Sequence, residues 1–138
     1  MTVKEVTKLI ESAIAGCVVE HVKDQPGDDV TVFRIETPFF NFQIEQQIAI
    51  FAYFKEEDNL IQLSDRGLYS FCIEDRSNLN LKRHRNFVRS NGYLLLGSET
   101  EEGSFVVNSP TMDLKSEEFD LTRLAGHYLS LLLYCGEV

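Results

Sequence analysis

The chain has 138 residues, 43% of them hydrophobic and 25% charged, with a formal net charge of −9. These values exclude a wholly disordered chain and fit one globular domain with an ordinary core. The balance of 22 acids against 13 bases excludes a generic nucleic-acid coat protein, which needs a broad basic face. It fits a soluble protein, and it also fits one that presents acids to a basic partner.

Residues 2–17 carry Val3, Val6, Ile10, Ile14 and Cys17 at spacings of three and four, the stripe of an amphipathic helix. Thr2 and Glu5 are placed for a capping box. A turn cluster at 23–29 leads to a β-branched strand at 30–37, which Pro38 is expected to end. The strand at 47–54 is apolar on both faces, so it should be central and covered on both sides. Residues 55–59 read as a hairpin turn and 60–65 as the next strand. Residues 66–74 can form a short helix, and 79–92 a longer one with Leu81, His84 and Val88 inward, stopped by Asn91-Gly92. A hairpin of 93–99 and 103–109, a linker around 108–118 and a last helix at 121–135 complete the order. The expectation is one α+β domain over 1–138. It has a roughly five-stranded, mainly antiparallel sheet, with N-terminal, central and C-terminal helices packed on it.

No apolar run reaches the ~18 residues of a membrane span. The first residues mix Glu5 and Glu11 among the apolar positions, unlike a secretion signal. A cytoplasmic protein without membrane contact is expected. Cys17, Cys72 and Cys135 are odd in number and widely spaced, so small buried hydrophobes are expected rather than disulfides. Leu129, Leu131, Leu132, Leu133 and Tyr134 give the last helix more apolar surface than one face needs, which raises a homodimer through it.

Few motifs carry chemistry. Ser64-Asp65-Arg66-Gly67 follows a strand. Asp65 there is either a metal or water ligand of a hydrolase or nuclease, or a cap for the next turn with Gly67 relieving the backbone. The cap is the stronger reading, because Arg66 puts a cation where a second oxygen ligand could stand. Cys17 and His21 are four apart and could share a helix face if the first helix ran that far, but no second zinc-type pair follows. A nucleophile elbow, a phosphate loop and a dinucleotide fingerprint are absent from the sequence. No catalytic residue, metal or cofactor is assigned, and an enzyme is the less favoured reading.

Charge is segregated instead. Acids gather at Asp28 and Asp29, at Glu56, Glu57 and Asp58, at Glu99, Glu101 and Glu102, and at Glu117, Glu118 and Asp120. Between Arg76 and Ser98 no acid occurs, while Arg76, Lys82, Arg83, Arg85 and Arg89 are cationic. Lys82, Arg85 and Arg89 share a helix face. They either balance the chain's own acids or dock a partner.

Three stretches, 35–54 (IETPFFNFQIEQQIAIFAYF), 59–70 (NLIQLSDRGLYS) and 81–96 (LKRHRNFVRSNGYLLL), carry a resemblance. The pattern over about 30–135 resembles an uncharacterised prokaryotic and phage family, the domain of unknown function numbered eighteen twenty-eight. Asp65 and Gly67 match its turn motif, and Arg66 departs from it. The family implies a fold and an origin but no activity. The favoured expectation is a non-catalytic interaction protein that docks on a protein partner through charge-segregated surfaces. The partner would be a host nucleic-acid-handling or defence system that it inhibits. The alternatives are an Asp65-dependent hydrolase and a weak nucleic-acid binder using residues 79–91.

Overall fold

The computed structural model describes residues 1–22, 29–42, 44–97, 104–116 and 120–133. In chain order these form α1 (Val3–Ala13), β1 (Val18–Val22), β2 (Val30–Asn41), β3 (Gln46–Lys55), β4 (Leu60–Ser64), α2 (Leu68–Phe71), α3 (Asn78–Ser90), β5 (Leu94–Leu96), β6 (Val106–Asn108), β7 (Met112–Asp113) and α4 (Leu121–Leu133). The class is α+β and all pairings are antiparallel, in the order β1-β2-β3-β4-β6-β5 with β7 also on β4. The sheet thus has seven strands rather than five.

The two additional strands hide in different ways. β1 falls between the expected helix over 2–17 and the turn cluster at 23–29, where no element is expected, and the helix in fact ends at Ala13. Cys17 and His21 therefore share no helix face. β7 lies within the expected linker, two residues long. With β6 it forms one interrupted partner for β4. At the interruption Ser109 N–H donates to Leu63 O (2.9 Å) and Leu63 N–H donates to Ser109 Oγ (2.8 Å), so a side chain continues the ladder beside Pro110.

Pro38 does not end β2. β1 pairs with Val32–Glu36 only, so beyond Glu36 one side of β2 has no ladder partner and the missing N–H costs nothing there. A register shift between Glu36 and Phe40 accommodates the residue.

β3 is central, as its two apolar faces imply. Ile48, Ile50, Ala52 and Phe54 are fully buried and join Val6 and Ile10 of α1, Leu81 and Val88 of α3, and Leu132 of α4 in one core. The opposite face is not covered as expected: Ala49, Phe51 and Tyr53 are only half-buried. Leu129, Leu131 and Leu132 are buried in the chain's own core, so the apolar surplus that raised a dimer has an internal use. Tyr134 lies outside the described residues.

The helix ends follow their sequence signals. Thr2 and Glu5 make the reciprocal capping box of α1. Ser77 caps α3, and Gly92 follows its end with φ +85°. Neither Gly92 nor Gly126 of α4 has an atom within 4 Å of where a Cβ would stand, so backbone alone decides their substitutions. Gly92→Ala is expected to destabilise the fold by about 1 kcal/mol in urea unfolding. Gly126→Ala, inside a helix, is expected to stabilise it by up to about 1 kcal/mol.

Candidate docking site

The site begins with a buried knot at the end of β4. Asp65 Oδ1 accepts from Gly67 N–H (2.8 Å) and from Val107 N–H of β6 (2.9 Å), while Oδ2 accepts from Tyr69 N–H (2.9 Å). Asp65 N–H in turn donates to Val107 O at 3.2 Å, and the Tyr128 hydroxyl of α4 donates to that same carbonyl at 2.6 Å. Burial raises the Asp65 carboxyl above its ordinary range, and the backbone N–H donors pull it back. Burial, and then the Asp65 charge, push the Tyr128 phenol well above its ordinary value. Both carboxylate oxygens are thus engaged by backbone, and Asp65 is a tie between β4, α2 and β6. This is the capping role, extended to a distant strand. Among the described residues no three His, Cys, Asp or Glu side chains gather as a metal set.

The knot fixes the next residue in an unusual backbone. Arg66 has φ +50° and Gly67 φ +95°. A left-handed arginine costs of order 1 kcal/mol, so the surrounding bonds must hold it. The result is a fixed cation: the guanidinium lies 3.9 Å from the Phe51 ring centroid, and Nε–H donates to Tyr53 OH at 2.9 Å. Arg66 thereby covers the half-buried outer face of β3.

Arg66 and Arg76 line one groove of about 580 Å³ between α2 and the β5–β6 hairpin, with Phe71, Leu96, Phe105 and Val106 as its apolar walls. Phe71 is 70% exposed. No described lining residue is acidic. Arg76 is anchored: Nη1 donates to Ser70 O at 2.7 Å, which ties α2 to the start of α3. Ser70 Oγ accepts from Phe105 N–H at 3.2 Å, and Arg85 of α3 sits 5.8 Å over the Phe105 ring. The flank of α3 that carries Arg85 therefore borders the groove.

Lys82 and Arg89 share that side of the helix, both exposed and with no side-chain hydrogen bond or ion pair to any described residue. Arg34–Glu36 (3.5 Å) and Lys55–Asp58 (2.9 Å) form ion pairs away from α3. Arg83 points elsewhere, donating to Asn80 at 2.7 Å. Of the five cations expected at the site, Arg76 lines the groove, Arg85 reaches its Phe105 wall, Arg89 shares the Arg85 flank of α3, and Lys82 lines a second depression with Arg83 and Asp75. Arg66 and Phe71 are additions that the sequence did not reveal.

Acids occupy the other end of β4. Asp29 and Glu57 both act on the Lys55 ammonium, whose pKa is raised chiefly by its bond to Asp58, so Asp29 and the Glu56–Asp58 turn are neighbours. Asp113 joins them opposite Leu60. Asp28, Glu101 and Glu102 lie outside the described residues.

His84 is the buried member of α3. Its Nδ1 is 2.7 Å from Tyr69 OH, and burial, then the Arg83 cation, lower its pKa from the ordinary 6.5. A lowered histidine favours the neutral form in the fold. Its contribution is present above 6.5 and is lost as pH falls through the lower folded value. The melting temperature is expected to drop as pH is lowered from about 7 to about 5, with a shallower slope in His84→Gln.

Comparison of the chain with protein-family models, curated proteins and solved structures finds no match. Among the described residues no helix is long and apolar enough to cross a membrane.

Proposed function

We propose that the chain is a non-catalytic interaction protein that docks an acidic segment of a protein partner in the groove between α2 and the β5–β6 hairpin. The observation that carries this reading is the segregation of charge. In a chain of net charge −9, Arg66 and Arg76 line one groove without a described acid, Arg85 stacks over the Phe105 ring of its wall, and the side chains of Lys82 and Arg89 on the same helix have no described bonding partner. The acids of Asp29 and Glu56–Asp58 lie at the opposite end of β4, and Asp75 lines a separate depression with Lys82 and Arg83, so the groove itself keeps Arg66 and Arg76 apart from the described acids of both. Phe71 and Leu96 supply the apolar contact that a charged rim alone lacks.

A protein partner is favoured over nucleic acid because the cations are few and bounded by an acidic pole, which limits phosphate contacts. With the resemblance to a prokaryotic and phage family, the reading extends to a cytoplasmic inhibitor of a host nucleic-acid-handling or defence component. The test is a fluorescence-anisotropy titration with a labelled Glu-rich peptide and, in parallel, a single-stranded DNA of equal charge. Wild type is expected to bind the peptide more tightly, and Lys82→Glu/Arg89→Glu to weaken that binding about tenfold or more at unchanged melting temperature. Equal peptide binding by wild type and double variant, or preference for DNA, would overturn the proposal.

A further inference from the structure

The groove is bounded by a sheet edge. β5 ends the strand order: β6 lies on one side and no described strand on the other. Leu94 and Leu96 are 47% and 50% exposed, and they lie on the same face of the strand. Leu96 and its cross-strand neighbour Val106 line the groove that Arg66 and Arg76 enter. Leu95 faces the other way, packed against the core.

An open edge offers unpaired N–H and C=O groups, and proteins usually blunt it by keeping it short or with charge, proline or a bulge. The opposite edge, β1, follows that rule: it carries Glu20 and His21 among its five residues. β5 is Leu-Leu-Leu, without a charged or proline residue. One edge of the same sheet carries charge, while the other, beside the cationic groove, is limited only by its three-residue length.

We infer that the partner segment docks as an added strand on β5, a deepening that rests on the proposed docking function. Side chains on one face of a strand recur every second residue. The groove lies at the Leu96 end and not the Leu94 end. The segment therefore carries an apolar residue against Leu94 and an acidic residue two positions away, against Leu96 where Arg76 and Arg66 are held. Backbone bonds to β5 give affinity, and this apolar-x-acidic pattern gives specificity, the usual division in strand addition.

Synthetic peptides with an apolar-x-Glu core distinguish this mode from loose charge attraction. The parent peptide is compared with two versions N-methylated at successive core amides, and with a scrambled version of equal charge. Only alternate N–H groups of an added strand point at β5. One methylated peptide is expected to bind about tenfold or more weakly and the other near the parent value. Amide exchange at 94–96 is expected to slow on binding, and Leu96→Glu, which sets a like charge against the segment's acidic residue, to weaken it at unchanged melting temperature. If both methylated peptides and the scrambled one bind like the parent while Lys82→Glu/Arg89→Glu still abolishes binding, docking stands and strand addition is overturned. If no peptide binds any form of the protein, both fall.

Discussion

Asp65→Ala is expected to lower stability by about 3 kcal/mol or more, a fall of roughly 10 °C in melting temperature. The carboxylate satisfies three backbone N–H groups from Gly67, Tyr69 and Val107, and Asp65 itself is 3% exposed. Truncation leaves those donors without an acceptor, and an unsatisfied buried donor costs about 1–3 kcal/mol. Asp65→Asn should fall between wild type and alanine. Its amide oxygen can keep two of the three bonds, while its NH₂ faces a third N–H. The order wild type, Asn, Ala in urea unfolding checks the knot. A purely catalytic aspartate would give variants as stable as wild type.

Arg66→Gly separates stability from docking. Glycine adopts φ +50° without strain, a gain of about 1 kcal/mol that offsets the lost stacking on Phe51 and the lost bond to Tyr53. Stability is therefore expected to stay within about 1 kcal/mol of wild type. Affinity for an acidic peptide is expected to fall about tenfold or more, because the removed cation is held rigid at the groove and loses little entropy on binding. Calorimetric melting and anisotropy on one preparation check both halves. A variant that is more stable and binds equally would assign Arg66 to the sheet face alone.

The parts of the fold that were legible in the sequence are those with a clean period. The capping box and first turns of α1, the stripe of α3 with its Asn91-Gly92 stop, and the central place of β3 appear where spacing placed them, while α1 stops at Ala13 and the second face of β3 is only half-buried. The misread parts depend on partners distant in sequence. β7 is two residues long and exists only because β4 offers it an edge. Pro38 sits inside β2 because β1 is too short to use its missing donor. The candidate site divides the same way. The shared face of Lys82, Arg85 and Arg89 is helical arithmetic. The placement of Arg66 is not, since it follows from a turn tied to Val107, 42 residues further along the chain. Arg76 was legible as a cation but not as the clamp that holds α2 against α3.

The central claim is that one groove, and not the acidic net surface, is where this protein meets its partner. Two-dimensional amide NMR during titration with the Glu-rich peptide tests it most directly. Shift changes are expected to be confined to residues 66–71, 94–97, 104–106 and the Lys82–Arg85–Arg89 flank of α3, and to grow weaker as salt is raised. Changes centred on Asp29, Glu56–Asp58 and Asp113, or none at saturating peptide and low salt, would contradict it.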